Sequence, residues 1–542
     1  MDGTKARVDA TFEDVAKTTV GSSNATGTTH MHGDRALRII GHGRISLTEE
    51  DNRRIRRKTD KVIMTILVWV YFLQILDKTA LGYAATFGLS KSTHLSGSQY
   101  SFVGSIAPIA QLAWQPFSSY LIVKVSHRIL MPTLCLGWGI AQTAMAACRN
   151  YGDLLAARFF LGLFEAGCLP LFSLITSQWF RRAEQPLRVA AWYSTNGLAT
   201  IVASALSYGL GHIPSDRLES WQIPLRVLEA RRRHPSARFL SEEDKPKAIE
   251  RLRANQTGTG SRDFKWRQVL ELCLEPKTYL WIALSLFLNA GASVTNTFGP
   301  LILNGLGFDK YTTSLLNIPF GFVQFVIILF ASWFAQHFRI KSAILFVLTL
   351  PVIAGLVVLY VVPRGNGSQN QGALLAGYYL LAFLFGGVPI IVAWIVANTA
   401  GTTKKSVAMS VYNAASSTGN IIGPLVFNSR DAPEYIPGLR AMLGIFVALA
   451  ACAVLQAVNL AFLNRLQERR RVRNGKPAKI MDTSMEDEYR DISPGADPSE
   501  GIVEGSASDI AQAEAAHAPR RIGDNAFSDM TDGENDEFVY LL

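Results

Sequence analysis

The stretch VIMTILVWVYFLQILDKTALGY, residues 62–83, decides the fold of this chain. Its length matches the ~20 residues that an α-helix needs to cross the ~30 Å hydrocarbon core of a bilayer. Asp77 and Lys78 nevertheless interrupt the apolar run with two adjacent charges. Ionisable groups at membrane depth are costly, and by default they mark an ion or substrate path. The stretch therefore predicts a membrane helix that also takes part in moving a solute.

A second charged pair lies in the run LLAARFFLGLFEAGCLPLFSLI, residues 154–175, where Arg158 and Glu165 are seven residues apart. Two acids and two bases within apolar spans predict proton-coupled movement of an anionic solute. We expect Asp77 and Glu165 to carry protons, and Lys78 and Arg158 to face the anion. Protonation of Glu165 would free Lys78, and an anionic substrate would then replace the lost carboxylate. The alternative is a static charge pair that locks two helices together.

Apolar runs of similar length recur along the chain, which has 542 residues, 49% of them hydrophobic, and a mean hydropathy of +0.17. We predict an all-α membrane protein with eleven spans. The spans are residues 62–83, 101–123, 129–148, 153–175, 188–211, 279–303, 312–334, 342–362, 374–397, 406–428 and 439–463. The polar start of the chain has no cleavable signal peptide, so we expect the first span to be the targeting signal.

Polar segments divide the predicted spans into two bundles. The expected regions are a disordered cytoplasmic tail at 1–60, a first bundle of five spans at 61–211, a basic loop with a short amphipathic helix at 212–277, a second bundle at 278–464 and a disordered acidic tail at 465–542. The five cysteines form no CxxC pair, so neither a metal site nor a disulfide framework is predicted.

The net charge of +10 is concentrated beside the spans, as the positive-inside rule requires, so we do not expect a nucleic-acid partner. After five spans, simple alternation places the next segment outside although it carries 14 Lys and Arg, which violates that rule. One more crossing between Trp221 and Ala237 would restore the rule there and at three later basic segments. The residues between them, QIPLRVLEARRRHPS, are too few and too charged to cross. We infer that the sixth of twelve spans is absent from this sequence.

Two glycosylation sequons bear on this topology. Twelve crossings place Asn366 (Asn-Gly-Ser) outside and Asn255 (Asn-Gln-Thr) inside, whereas eleven alternating crossings reverse both positions. We therefore predict Asn366 as the glycosylated residue.

Several later spans carry polar residues at helical spacing, and the clearest such stripe is Ser406, Ser410, Asn413, Ser417 and Asn420 on one helix face. A cavity lining that hydrogen-bonds the substrate would explain it. Helix packing through small residues and interhelical hydrogen bonds would explain it equally. The further candidates for substrate contact are Tyr71, Gln74, Asn289, Asn296, Gln324, Trp394 and Asn398.

Motifs along the chain resemble one family in their order. QILDKTALGYAATFGL (74–89), RFFLGLFEAG (158–167) and NTFGPLILNGLGFDKYTTSLLNIPFG (296–321) are similar to the fungal allantoate permease family of anion:cation symporters, within the major facilitator superfamily. SARFLSEED (236–244) and FSDMTDGENDEFVYLL (527–542) resemble the same family. The resemblance implies two helical bundles around a central cavity and transport by alternating access. It also implies that the acid–base pair in the first span and the Arg–x6–Glu pair in the fourth govern coupling and anion binding.

We therefore expect a proton-coupled transporter of a small organic anion, such as allantoate, nicotinate or pantothenate, acting as a monomer in the fungal plasma membrane. Its expected partners are the anion, protons and the lipid bilayer, with no cofactor. Three alternatives stay open: an exporter of a fungal secondary metabolite encoded in a biosynthetic gene cluster, a non-transporting membrane nutrient sensor, and a chain that misfolds and transports nothing because it lacks a span. The sequence has no phosphate-binding Gly-rich motif, His/Cys cluster or nucleophile elbow, so we do not expect an enzyme.

Overall fold

The computed structural model describes residues 47–86, 93, 99–145, 147–211, 244–255, 261–305, 310–363, 370–426, 436–480, 483–485 and 528–542. Within these ranges the regular structure is entirely helical. The first part of the chain forms α1 (Glu49–Thr59), α2 (Thr65–Thr86), α3 (Gln99–Lys124), α4 (His127–Met145), α5 (Tyr151–Glu165), α6 (Cys168–Trp179), α7 (Gln185–Tyr193) and α8 (Thr195–Gly211). The central segment forms α9 (Asp244–Glu250) and α10 (Trp266–Leu274). The remainder forms α11 (Pro276–Gly305), α12 (Lys310–His337), α13 (Lys341–Val361), α14 (Gln371–Leu380), α15 (Gly387–Ala397), α16 (Thr402–Val426) and α17 (Ile436–Arg473).

The predicted class, an all-α membrane protein, is confirmed. Within the described residues, each of the eleven predicted spans coincides with a helix or with consecutive helices. By length and composition, seven helical stretches of the described residues are long and apolar enough to cross a membrane. The exact number of crossings stays a prediction.

Several helix pairs join the first half of the molecule (α1–α8) to the second half (α11–α17), and two of them form the most extensive contacts. In one pair, α8 packs on α12, where a Cβ atom on Gly197 would lie only 2.3 Å from the carbonyl oxygen of Gly321. The two backbones therefore touch, which only residues without a side chain allow. In the other pair, α3 packs on α16, and Ser406 Oγ donates to the carbonyl of Ser119 at 3.1 Å.

The basic segments gather at one end of the helices. Asp244 of α9 bonds to Arg54 Nη2 at 2.8 Å and to Lys58 Nζ at 2.7 Å, both on α1. Arg251 donates to Glu184 Oε2 at 2.6 Å in the turn between α6 and α7. Because this face carries the basic residues, the positive-inside rule assigns it to the cytoplasm.

The position of α9 bears on the predicted missing crossing. Together α7 and α8 run from the cytoplasmic face over Gln185–Gly211, long enough at about 1.5 Å per residue to reach the opposite face. Asp244 lies on the cytoplasmic face again. The additional crossing that the charge distribution requires would lie between Gly211 and Asp244. The segment proposed to lack a span lies in residues 212–243, outside the described ranges.

Asn255, the second sequon, lies at the cytoplasmic face. Its side chain is 1% exposed: Nδ2 donates to the carbonyl of Phe180 at 3.1 Å, and Oδ1 accepts from the backbone N–H of Arg182 at 2.9 Å. Asn366 lies outside the described residues.

The structure differs from the expectation of disordered tails in two places. Within 1–60, helix α1 forms because Thr48 Oγ1 caps it by accepting from Asp51 N at 3.2 Å, with acids in the first turn and bases in the last. Within 465–542, α17 continues to Arg473 and residues 528–542 are packed against the cytoplasmic face. Acidic side chains of residues 528–542 pair with buried lysines at this face. Composition alone does not reveal such pairs.

Candidate functional site

Gln74 and Lys78 of α2 face the end of α5. They are four residues apart, so both lie on one helix face. Lys78 Nζ is 2.8 Å from Glu165 Oε1. The Lys78 side chain is 45% exposed, whereas that of Glu165 is 4% exposed. The cation therefore borders accessible space, and the acid lies behind it.

Two side-chain amides complete the surroundings of Glu165. Gln74 Nε2 donates to Oε1 at 2.7 Å, and Gln111 Nε2 donates to Oε2 at 2.8 Å. The carboxylate thus accepts hydrogen bonds from helices α2 and α3 while it pairs with Lys78. Charge-assisted hydrogen bonds of this kind are about twice as strong as neutral ones, so these contacts hold the Glu165 side chain in place.

Asp77 lies in a separate environment on the same helix. It is buried, and its Oδ2 accepts a hydrogen bond from the indole Nε1 of Trp138 on α4 at 2.8 Å. Arg158, two turns before Glu165 on α5, is buried as well. Sequence reasoning missed Trp138, although a Trp inside a span needs a partner for its N–H group.

The end of α5 also exposes one backbone carbonyl. Pro170 has no N–H group, so it cannot donate to the carbonyl of Ala166 four residues earlier. That oxygen instead accepts from Gln115 Nε2 of α3 at 3.1 Å and from Asn413 Nδ2 of α16 at 3.0 Å. The break between α5 and α6 therefore creates a contact between the two halves directly beside Glu165.

A hydrogen-bond chain links the second half to the charge pair. Ser417 Oγ of α16 lies 3.3 Å from Gln111 Oε1, and the amide group of Gln111 donates to Glu165. Ser417, Asn413 and Ser406 of the predicted polar stripe therefore point toward the first half. Gln111 and Gln115 were not predicted from sequence. Their span contains several polar residues, and the sequence does not show which group each of them contacts.

Among the other predicted residues, Tyr71 lies between aromatic rings. The Tyr71 ring packs against Phe172, Trp192 and Tyr193, and its hydroxyl accepts from Asn196 Nδ2 at 3.2 Å. Tyr71 is therefore part of a packed aromatic cluster in the first half.

In the second half, Asn289 Nδ2 donates to the carbonyl of Ser285 on its own helix at 2.8 Å. Gln324 is buried in α12, and the backbone carbonyl of Asn420 accepts from Ser293 Oγ at 3.1 Å. The side chain of Asn296 lies outside the description. None of these contacts reaches the Lys78–Glu165 pair.

Trp394 and Asn398 lie at the cytoplasmic face and contact residues 528–542. Trp394 Nε1 donates to the carbonyl of Leu541 at 2.7 Å, and Asn398 Nδ2 donates to the same oxygen at 2.9 Å. These two predicted substrate contacts are therefore not brought together with Lys78 and Glu165. Among the described residues, no group of three or more His, Cys, Asp and Glu side chains is arranged to hold a metal ion.

Comparisons with known proteins agree with this architecture. The family model described as Major Facilitator Superfamily matches residues 67–424. The chain is 32% identical to the thiamine pathway transporter THI73 of Saccharomyces cerevisiae, over 76% of this chain and 79% of the relative. It is 27% identical to the allantoate permease of the same yeast, over 83% of this chain and 88% of the relative.

The fold is also similar to that of a solved transporter structure. It is the crystal structure of a bacterial homologue of the human lysosomal transporter Spinster, in an inward-facing and occupied conformation. The match has a TM-score of 0.50 and 15% sequence identity, and it covers 74% of this chain and 97% of that one. At this level of identity the likeness concerns the fold alone.

Proposed function

Because the chain belongs to the Major Facilitator Superfamily, we propose that it is a proton-coupled transporter of a small organic anion that works by alternating access. It is a multi-pass membrane transporter and not an enzyme. The resemblance to fungal transporters that include an allantoate permease is confirmed. The observation that carries the proposal is the contact between the accessible ammonium group of Lys78 and the buried carboxylate of Glu165.

This pair couples a proton to an anion through charge balance. When Glu165 is ionised, it neutralises Lys78, and an arriving anion would compete with a carboxylate that is already in place. When Glu165 is protonated, Lys78 loses its partner, and its positive charge at membrane depth is left without compensation. An anion then supplies the missing charge, so proton and anion favour each other's binding, as linkage requires.

The second acid, Asp77, supports the same proposal in a different way. Its carboxylate is adjacent to Lys78 in the chain and is bonded to the neutral donor Trp138. We assign it a second proton-carrying role, with Arg158 as the second cation. The link from Ser417 through Gln111 to Glu165 gives the second half a contact whose strength depends on the charge of Glu165.

Uptake into proteoliposomes tests the proposal. In the variant Glu165→Gln, the uncharged amide replaces the protonated acid, so we expect proton-driven accumulation to be lost while exchange of anion for anion continues. The panel comprises allantoate, nicotinate and pantothenate. Glu50→Gln on the exposed face of α1 is the matched control and keeps accumulation. If Glu165→Gln still accumulates the anion in proportion to the pH gradient, the proton assignment is wrong, and Asp77→Asn is compared next in the same assay.

The same vesicles separate the alternative functions. Because one relative is named for the thiamine pathway, the cation thiamine is included, and an accessible Lys78 predicts that it is not taken up. Net movement of solute against the direction of proton flow would favour an exporter. Absence of solute-dependent proton movement for every solute, in protein that remains folded, would favour a sensor.

A further inference from the structure

The segment SDMTDGENDEFVYLL, residues 528–542, contains five acids and no base, followed by an apolar end. It lies against the cytoplasmic face although α17 ends far earlier in the chain, at Arg473. Asp532 and Phe538 are both fully buried there. A solvated acidic tail would not bury its charged groups, so this segment occupies a specific site.

The acidic part of the segment binds the starts of two helices of the second half. The carboxylate of Asp532 pairs with Lys277 at the start of α11 and lies 3.0 Å from Lys404 Nζ at the start of α16. It also accepts from the backbone N–H of Ala400 at 3.2 Å. Asp529 caps α16, because its Oδ1 accepts from Thr402 N at 2.7 Å.

The apolar end binds the neighbouring turn through its backbone. Leu541 N donates to Asn398 Oδ1 at 2.7 Å, and the Leu541 carbonyl accepts from both Asn398 and Trp394. The carbonyl of Leu542 accepts from the backbone N–H of Lys341 at 2.8 Å. These bonds extend the contact from α11 and α16 to the start of α13 and the end of α15.

One residue of the first half joins this assembly. Arg182, in the turn between α6 and α7, donates through Nη2 to the carbonyl of Val539 at 2.8 Å and to the carbonyl of Ala397 at 2.6 Å. Its guanidinium also lies over the Phe538 ring, 4.9 Å from the centroid. Arg182 therefore contacts the segment and the second half together.

We propose that residues 528–542 are an intramolecular clasp, which occupies a peptide-binding site on the cytoplasmic face of the second half and holds it against Arg182 of the first half. Opening toward the cytoplasm separates the two halves at this face, so Arg182 must leave Val539 and Ala397. Release of the clasp also leaves Lys277 and Lys404 without Asp532. The clasp therefore favours the state that is closed to the cytoplasm. This inference rests on alternating access and not on the choice of anion or coupling ion.

The test measures access to the interface between the halves without any solute. In a chain whose exposed Cys273 is replaced by Ser, Ser406, buried against Ser119, is replaced by Cys, and an impermeant maleimide is added from the cytoplasmic side of inside-out vesicles. In a chain shortened after residue 527, we expect labelling to be roughly tenfold faster, because a buried charge pair that favours closure is lost. A synthetic peptide of residues 528–542 restores slow labelling, whereas the same peptide with Asp532→Asn does not.

Point variants of the full chain keep the test valid if the shortened chain does not fold. Asp532→Asn is expected to speed labelling, and Glu534→Gln, at an acid of the segment that is partly exposed, is the matched control and leaves it slow. Labelling of folded Asp532→Asn at the wild-type rate would overturn the clasp. Because no anion or pH gradient is used, failure of the clasp and failure of the proposed transport reaction give different results.

Discussion

Glu165 concentrates the chemistry of the site in a single carboxylate. It accepts from Gln74 and Gln111 and pairs with Lys78, so three groups on two helices contact one side chain. Under the proposed function, protonation of this side chain would change all three contacts.

Trp138 is expected to stabilise the fold through Asp77. Trp138→Phe keeps the ring but removes the N–H group that donates to Asp77 Oδ2. A hydrogen bond to a charged group contributes about 1.5–3 kcal/mol, so we expect a lower midpoint of thermal unfolding in detergent. Trp69→Phe on the exposed face of α2 is the control and leaves the midpoint unchanged. Equal midpoints for both variants would show that the bond to Asp77 does not contribute.

Sequence reasoning could find the charges of the site but not their neighbours. Asp77, Lys78, Arg158 and Glu165 stand out because each interrupts an apolar run. Gln111 does not stand out in this way, because its span contains other polar residues. Only the packing of α3 on α5 brings it to Glu165, and that packing is a property of the whole bundle.

At the scale of elements, glycines set how closely the helices approach. Gly197→Ala on α8 places a methyl group where the carbonyl of Gly321 lies, so α8 and α12 must move apart. Overpacking of this kind costs about 1–3 kcal/mol. We expect a lower thermal unfolding midpoint. Gly209→Ala on the same helix meets no atom within 4 Å and is the matched control; a loss of stability there and none at Gly197 would contradict the close approach.

Hydropathy predicts where the helices lie, but it does not predict the breaks within them. Each predicted span coincides with helix, but the division between α5 and α6 depends on Pro170 and on donors that reach Ala166 from α3 and α16. The polar stripe of α16 illustrates the same limit. Its spacing predicted one face, and the structure directs Asn413 and Ser417 of that face to the first half.

For the whole molecule, the topology predicts where glycans attach. Asn255 is buried against Phe180 and Arg182 at the cytoplasmic face, so its amide is closed to modification. We expect mass-spectrometric mapping of the protein from a fungal host to find a glycan at Asn366 alone. Loss of the glycan in Asn366→Gln, but not in Asn255→Gln, confirms the assignment. A glycan on Asn255 would contradict the orientation of the central segment.

The clasp is expected to tolerate acidification of the cytoplasm. Burial alone would raise the pKa of Asp532, but the ammonium groups of Lys277 and Lys404 outweigh it and hold that pKa below its usual range. A carboxylate with a lowered pKa stabilises the attached state above its free pKa of about 3.9, and this contribution is lost only as pH falls through the lowered value. Burial and Asp532 raise the pKa of the neighbouring Glu275, so its protonation at low pH favours attachment as well.

Labelling of Ser406→Cys should therefore stay slow from neutral pH down to about pH 5, where Asp532 remains ionised. The intrinsic reactivity of the thiol is corrected at each pH with the unfolded protein. A rise in the corrected rate at mildly acidic pH would show that a different group governs attachment.

The two hydrogen bonds to the carbonyl of Ala166 lower the free energy needed to separate the two halves. Gln115 belongs to the same half as that oxygen, and Asn413 belongs to the other. In the proposed alternating-access motion, Asn413 can depart while Gln115 still donates to this acceptor. A buried acceptor left without any donor would cost about 1–3 kcal/mol in every cycle. Two donors therefore share this acceptor, and the one in the same half keeps its hydrogen bond when the other half moves away.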